Sequence, residues 1–170
     1  AEKRSVANTD GELERFENAR AQAAEQLGGL AVSMAEKIGE ENALLFEIQQ
    51  MMLEEPDFKD SVTDMIAHEK VCAEYAVQEI SDCLYEQFSH VEDAYMRARA
   101  SDIKDAAQRI VAILSGAPLE SEVQPDEPCI FVGTDFTPSE TAQFDRGQVL
   151  ALLTRQGASN SHTAIISRTL

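Results

Sequence analysis

Five successive stretches of this chain carry apolar residues at helical spacing, and the pattern then stops at a cluster of prolines. The first is the longest: Leu13, Phe16, Ala23, Leu27, Leu30, Met34 and Ile38 fall at intervals of three, four and seven. Such a stripe must be covered by a partner to leave water, so one helix of this kind requires others beside it. Asn8-Thr9-Asp10-Gly11-Glu12 marks its start, with Thr9 and Glu12 at capping-box spacing. Gly28-Gly29 interrupts the stripe; each glycine costs roughly 1 kcal/mol against alanine in a helix, so a bend or a close helix contact is expected there. Gly39 suits the left-handed residue past a helix end. A second helix is predicted over about 40–54, with Leu44, Leu45, Ile48 and Met52 inward. Pro56 fits the first turn of a third, which carries Phe58, Val62 and Ile66. Ala73, Val77, Ile80, Leu84 and Phe88 form the fourth stripe. Met96, Ala100, Ile103, Ala107, Ile110 and Leu114 form the fifth, before Gly116. Five helices with short connections predict an antiparallel bundle over residues 9–115.

Pro118, Pro125 and Pro128 mark a linker over 116–128, and the period then changes. Cys129-Ile130-Phe131-Val132 and Val149-Leu150-Ala151-Leu152-Leu153 are short apolar runs, each bounded by turn residues, as buried strands are. Between them Thr137-Pro138-Ser139-Glu140 supplies an N-cap, a proline at N1 and a glutamate at N3, the signature of a helix start. Past Gly157, Ser161-His162 leads into Thr163-Ala164-Ile165-Ile166, a second helix entry. The order is β-α-β-α over 129–170. Two strands are too few for an independent sheet, so this half is expected to be poorly supported. The fold class is therefore mainly α, an antiparallel helical bundle followed by an incomplete α/β subdomain.

Charge narrows the partners. The chain has 170 residues with 31 acidic against 14 basic side chains, a formal charge of −17. That opposes binding to nucleic acid and to anionic membranes, and favours a cationic partner or simple solubility. Cys72, Cys83 and Cys129 are odd in number and show no C-x-x-C spacing. Neither a disulfide framework nor a zinc site is indicated, and reduced, mostly buried thiols in a cytoplasmic protein are expected. His68 and Cys72 lie four apart, but no third metal ligand is close in sequence. Gly157-Ala158-Ser159-Asn160-Ser161 lacks the last glycine of a nucleophile elbow, and no nucleotide-binding glycine signature occurs. No run of about 18 apolar residues is present. The abrupt start, and an end inside an apparent helix, read as a piece of a larger protein.

His162 is the candidate for chemistry. A histidine at a helix entry sits among unpaired backbone N–H groups at the positive end of the helix dipole, a place that suits a phosphate. By spacing alone, a plain loop histidine is the commoner case. The surrounding residues, however, resemble the Enzyme I family of bacterial phosphoenolpyruvate-dependent sugar phosphotransferase systems. That family carries its phosphohistidine in a Gly-Gly-x-Thr-Ser-His-[Thr/Ser/Ala]-[Ala/Ser]-Ile-x-[Ala/Ser]-Arg segment. Gly157, Ser161, His162, Thr163, Ala164, Ile165, Ser167 and Arg168 match it, whereas Ala158 replaces the second glycine and Asn160 the threonine. Asp135 to Gln143 resembles the family's Asp-Leu-Thr-Pro-Ser-Glu-Thr-Ala-Gln, and Asp93 to Met96 and Arg99 to Asp105 resemble two further segments.

The resemblance implies a set of roles. His162 is the phosphoacceptor and Thr141 hydrogen-bonds its Nδ1, leaving Nε2 to take the phosphoryl group. The phosphocarrier HPr docks on the bundle, at positions matching Glu40, Glu41, Met51, Met52, Glu54 and Glu55. Acids there can steer a basic partner, and methionines offer adaptable apolar area. No cofactor is implied for this fragment; Mg²⁺ and phosphoenolpyruvate belong to a C-terminal domain absent from it. The fragment is then a cytoplasmic monomer without phosphoenolpyruvate-dependent activity of its own. Rival readings are the phosphohistidine module of a dikinase, a phosphocarrier of dihydroxyacetone kinase systems, and a non-catalytic helical interaction module.

Overall fold

A computed structural model of the chain describes residues 1–117, 125, 127–145, 147–155 and 161–169, leaving aside the side chains of 94–96 and 98. The described elements are α1 (Thr9–Ile38), α2 (Glu40–Glu54), α3 (Pro56–Glu69), α4 (Ala73–Ser89), α5 (Ala94–Ser115), β1 (Cys129–Gly133), α6 (Pro138–Gln143), β2 (Val149–Thr154) and α7 (His162–Thr169). They group into two compact units, one of Ala1–Gly29 with Glu47–Ala117 and one of Leu30–Phe46 with Pro118–Leu170.

In the first unit, the predicted stripes of α1, α3 and α5 become the core. Phe16, Ala23, Leu27, Phe58, Val62, Ile66, Ala100, Ile103, Ala107 and Ile110 are all buried. Pro56 occupies the first turn of α3 as expected, and α4 packs along both α3 and α5. The start of α1 differs from the expected capping box. Asn8 takes the cap, its Oδ1 accepting from Gly11 N at 3.1 Å. The Glu12 carboxylate instead accepts from Ala73 N, the first residue of α4, at 2.8 Å, and also pairs with Arg15. A long-range partner has displaced the local one. At the glycine pair, α1 continues without a break. A Cβ on Gly28 would stand 3.0 Å from the Gln50 side chain of α2, so a close approach accounts for this glycine; Gly29 has nothing near it.

The largest departure is on α2. The residues buried there are Ala43, Leu45, Phe46, Gln49 and Leu53, whereas Leu44, expected inward, is exposed and Ile48 and Met52 are half-buried. The helix carries two apolar stripes about one residue apart, and periodicity cannot choose between them. The choice brings in Gln49, fully buried, whose Nε2 donates to the buried Asp105 of α5 at 3.0 Å. Arg109, also buried, donates to Gln26 of α1 at 3.1 Å. Glu74 is a further buried charge, held by Arg15 at 2.6 Å and Arg4 at 3.4 Å. Burial pushes its carboxyl up, but the Arg15 hydrogen bond and charge outweigh this and hold it below the usual range. The N-terminal segment closes this end, with Ser5 bridging Val71 and Cys72 N donating to Arg4 O at 3.0 Å.

In the second unit, Gly39 turns the chain between α1 and α2 at φ +85°, a conformation that disfavours a side chain. The strands β1 and β2 pair in parallel, Phe131 with Leu152 and Val132 with Leu153. On one face Phe131 stacks on Phe144, centroids 4.9 Å apart, and Phe136 meets both rings edge-on. On the other, Ile130, Val132 and Leu153 are exposed. Among the three cysteines only Cys72 is buried; Cys129 is half-buried and Cys83 exposed, which corrects the expectation of mostly buried thiols. Cys83 falls off the buried stripe of α4, beside the buried Ser81. No described helix is long and apolar enough to cross a membrane.

Candidate functional site

The predicted site residues of the α/β half gather on α6, α7 and the loop that follows β1. The sequence Thr137-Pro138-Ser139-Glu140 forms the capping box it encodes. Glu140 N donates to Thr137 Oγ1 at 3.2 Å and Thr137 N donates back to the Glu140 carboxylate at 2.7 Å. With its start fixed, α6 sets Thr141 one turn in, 1% exposed. The Thr137 carbonyl accepts from Thr141 twice, from its N–H at 3.0 Å and from its hydroxyl at 2.8 Å. The Thr141 hydroxyl therefore spends its proton within its own helix. Toward any other neighbour it presents only lone pairs, so it can act there solely as an acceptor.

Ser161 caps α7. Its Oγ accepts from Ala164 N at 3.2 Å and its carbonyl from Ile165 N at 3.0 Å. His162 is the first helical residue and is half-buried. Ile166 faces inward at 1% exposure, and α6 and α7 pack against one another within this unit. The next residue, Thr163, donates its hydroxyl to the Phe136 carbonyl at 2.7 Å. Sequence reasoning used Thr163 only as part of the matching segment; nothing local in the chain announces a bond to a residue 27 positions earlier. Arg168 is exposed near the end of α7. Gly157, Ala158 and Asn160, where the segment departs from the family pattern or matches it, lie outside the described residues.

An imidazole in this position has a definite chemical capacity. At the first residue of a helix it lies where the dipole favours negative charge. If a buried acceptor takes the proton of one ring nitrogen, the other keeps its lone pair and is a nucleophile near neutral pH. Of the other histidines, His68 is exposed with Nδ1 2.9 Å from Asp64 O, and His90 is exposed with Nδ1 2.8 Å from Glu86 O. Both rings are engaged at helix C-terminal ends, where the dipole disfavours an anion. Among the described residues no cluster of three metal-ligating side chains occurs.

The second group of predicted residues lies on and beside α2. Glu40, Glu41, Met51, Glu54 and Glu55 are exposed, whereas Met52 is half-buried. The outward positions 40, 44, 47, 51 and 54 recur at intervals of four and three, so Glu40, Leu44, Glu47, Met51 and Glu54 alternate acid with apolar residue along one stripe. Glu47 belongs to the acidic cluster that the sequence shows on this helix, whereas Leu44, expected inward, joins the exposed stripe.

Comparison with known proteins places the chain in a family. The family described as PEP-utilising enzyme, N-terminal, matches residues 1–99, and that described as PEP-utilising enzyme, mobile domain, matches residues 125–170. Proteins named phosphoenolpyruvate-protein phosphotransferase are similar along the whole chain. That of a Bacillus species is 35% identical over 100% of this chain and 29% of its own length, and that of Enterococcus faecalis 39% identical over 99% and 29%. The chain thus spans less than a third of these relatives. Among solved structures, an NMR structure of Enzyme I superposes with a TM-score of 0.80 at 27% identity, covering 99% of this chain and 68% of that one. The N-terminal domain of Enzyme 1 - Nitrogen shares the fold, with a TM-score of 0.76. With its N-terminal model matched over more than half the sequence, the chain belongs to the family of PEP-utilising enzymes, where it corresponds to the N-terminal part and is similar to Enzyme I.

Proposed function

We propose that this chain is the N-terminal part of a phosphoenolpyruvate–protein phosphotransferase and that His162 is its phosphoacceptor. The observation that carries the reading is His162 at the first residue of a capped helix, packed against the helix that holds a buried threonine able only to accept. Thr141 Oγ1 would take the hydrogen bond of Nδ1–H. The tautomer is then fixed, and Nε2 faces the donor with its lone pair. In the first step Nε2 forms a P–N bond as the P–O bond of phosphoenolpyruvate breaks, and pyruvate leaves as its enolate. In the second, a histidine nitrogen of the phosphocarrier HPr forms a P–N bond as that to Nε2 breaks. Phosphoenolpyruvate and Mg²⁺ would be held by a separate domain beyond this chain, and the whole enzyme would work in the cytoplasm.

The bundle, residues 9–115, is the proposed HPr-docking part, and 129–170 the phosphohistidine part joined by 116–128. Glu40, Glu41, Glu54 and Glu55 would steer a basic partner and Met51, with Leu44, would offer the apolar contact. Met52, half-buried, contributes less. In the full-length protein supplied with phosphoenolpyruvate, Mg²⁺ and HPr, mass spectrometry under alkaline conditions should find phosphate on His162. Transfer to HPr should vanish in His162→Ala. Phosphohistidine persisting in that variant refutes the assignment.

A further inference from the structure

Two consecutive carbonyls in the loop after β1 hold the two helices of the site. The carbonyl of Thr137 accepts the Thr141 hydroxyl at 2.8 Å, and that of Phe136 accepts the Thr163 hydroxyl at 2.7 Å. The first bond is local, one turn of α6. The second ties the opening turn of α7 to a segment 27 residues earlier. The loop itself is stiffened on both sides. Phe136 N donates to Asp135 Oδ1 at 2.9 Å, the Phe136 ring lies against Phe131 and Phe144, and Thr137 is locked by the capping box. A single rigid strut thus carries Thr141 on one carbonyl and the residue after His162 on the next.

The geometry points to Thr163 as a positioning residue: its hydroxyl fixes the entry of α7 on the strut that also anchors Thr141, and so sets the hydrogen bond that selects the His162 tautomer. This rests on the proposed pairing of Thr141 with His162. By contrast, Ser167 donates to Thr163 O at 2.7 Å and Thr169 to Ile165 O at 2.9 Å, bonds that lie within α7. Ser161 caps the helix but leaves its placement against α6 open. A rotation of α7 by a fraction of a turn would move the His162 ring away from Thr141 while every intrahelical bond survived.

Nitrogen NMR of the 170-residue chain with labelled histidine tests this, since three rings give three readable pairs of signals and His68 and His90 serve as internal references. Removing the hydroxyl in Thr163→Val should shift the ratio of the two neutral His162 tautomers about three- to tenfold toward Nε2–H, the range set by one ordinary hydrogen bond. Thr163→Ser should restore the parent ratio, and Ser167→Ala should leave it unchanged. An unchanged ratio in Thr163→Val overturns the proposal, as does an equal shift in Ser167→Ala. Collapse of the amide spectrum of 129–169 in Thr163→Val would make the hydroxyl a support of the fold, and also overturns it. The readout needs no phosphate. A tautomer shift without phosphorylation of His162 would defeat the phosphoacceptor reading alone, and phosphorylation with no shift would defeat the role of Thr163 alone.

Discussion

The two units of this chain bury their apolar residues to very different degrees. In the first, Phe16, Leu27, Leu53, Val62, Ile66, Val77 and Ile110 are at 0% exposure. In the second, Val32, Leu44, Ile130, Val132, Leu150 and Leu153 are exposed, six of the eight large hydrophobics so exposed among the described residues. For the four on β1 and β2, the difference follows from the elements. A helix satisfies its backbone internally and needs only one covered stripe, so a few neighbouring helices complete each other. A parallel sheet needs cover on both faces and partners at both edges, and two strands supply neither. The proposed phosphoacceptor His162 nonetheless belongs to the second unit, whose short helices are held by the caps at Thr137 and Ser161 and by the bond from Thr163 to the Phe136 carbonyl.

Truncation separates the units most sharply. Phe16→Ala should cost about 3–5 kcal/mol, as cavities left by buried aromatics do, whereas Val132→Thr on the outer sheet face should stay within about 0.5 kcal/mol. Urea unfolding of both variants measures this. Equal costs would mean that the sheet face is covered in solution.

A smaller effect probes the polar part of the first core. Asp105→Ala removes the acceptor of the buried Gln49 amide, which should cost about 1–3 kcal/mol. Adding Gln49→Leu should recover part of the loss, because the orphaned donor then disappears. A double-mutant cycle without coupling would show that the pair contributes nothing to the core.

The smallest effect is in pH. Glu74 and Glu17 are both pushed up by burial, yet Arg15 for the one, and Arg20 with Lys59 for the other, hold them below the ordinary glutamate value. Each folded-state pKa is depressed, so the unfolded chain binds more protons between the two values. Their contribution is present above the unfolded value and is lost as the pH falls through the folded one. Acid should therefore weaken the first unit, and Arg15→Gln should flatten that dependence. An acid limb of unchanged slope in Arg15→Gln would count against the Glu74 pair.

What could be read in advance tracks how local each interaction is. The box at Thr137 and Glu140 formed as encoded because both partners lie within one turn. That at Thr9 and Glu12 did not, because the N terminus of α4 offered Glu12 another donor. The helix that begins at His162 was legible from the residues around its entry. Thr163 was not singled out, since its partner is remote in sequence. On α2 the acids were legible, but which residues beside them face solvent was not.

By itself the sequence determined the period of each helix, the left-handed turns at Gly39 and Gly116, the two strands and the histidine at the start of α7. These depend on φ preference, side-chain volume and spacing, which each short segment carries with it. The tertiary structure decided which of two apolar stripes on α2 turned inward, and so buried Gln49 and exposed Leu44. It also decided that Glu12 would serve α4 and that the Phe136 carbonyl would hold α7. A donor takes whichever acceptor the packed chain brings within about 3 Å, and that distance is set by all the elements together.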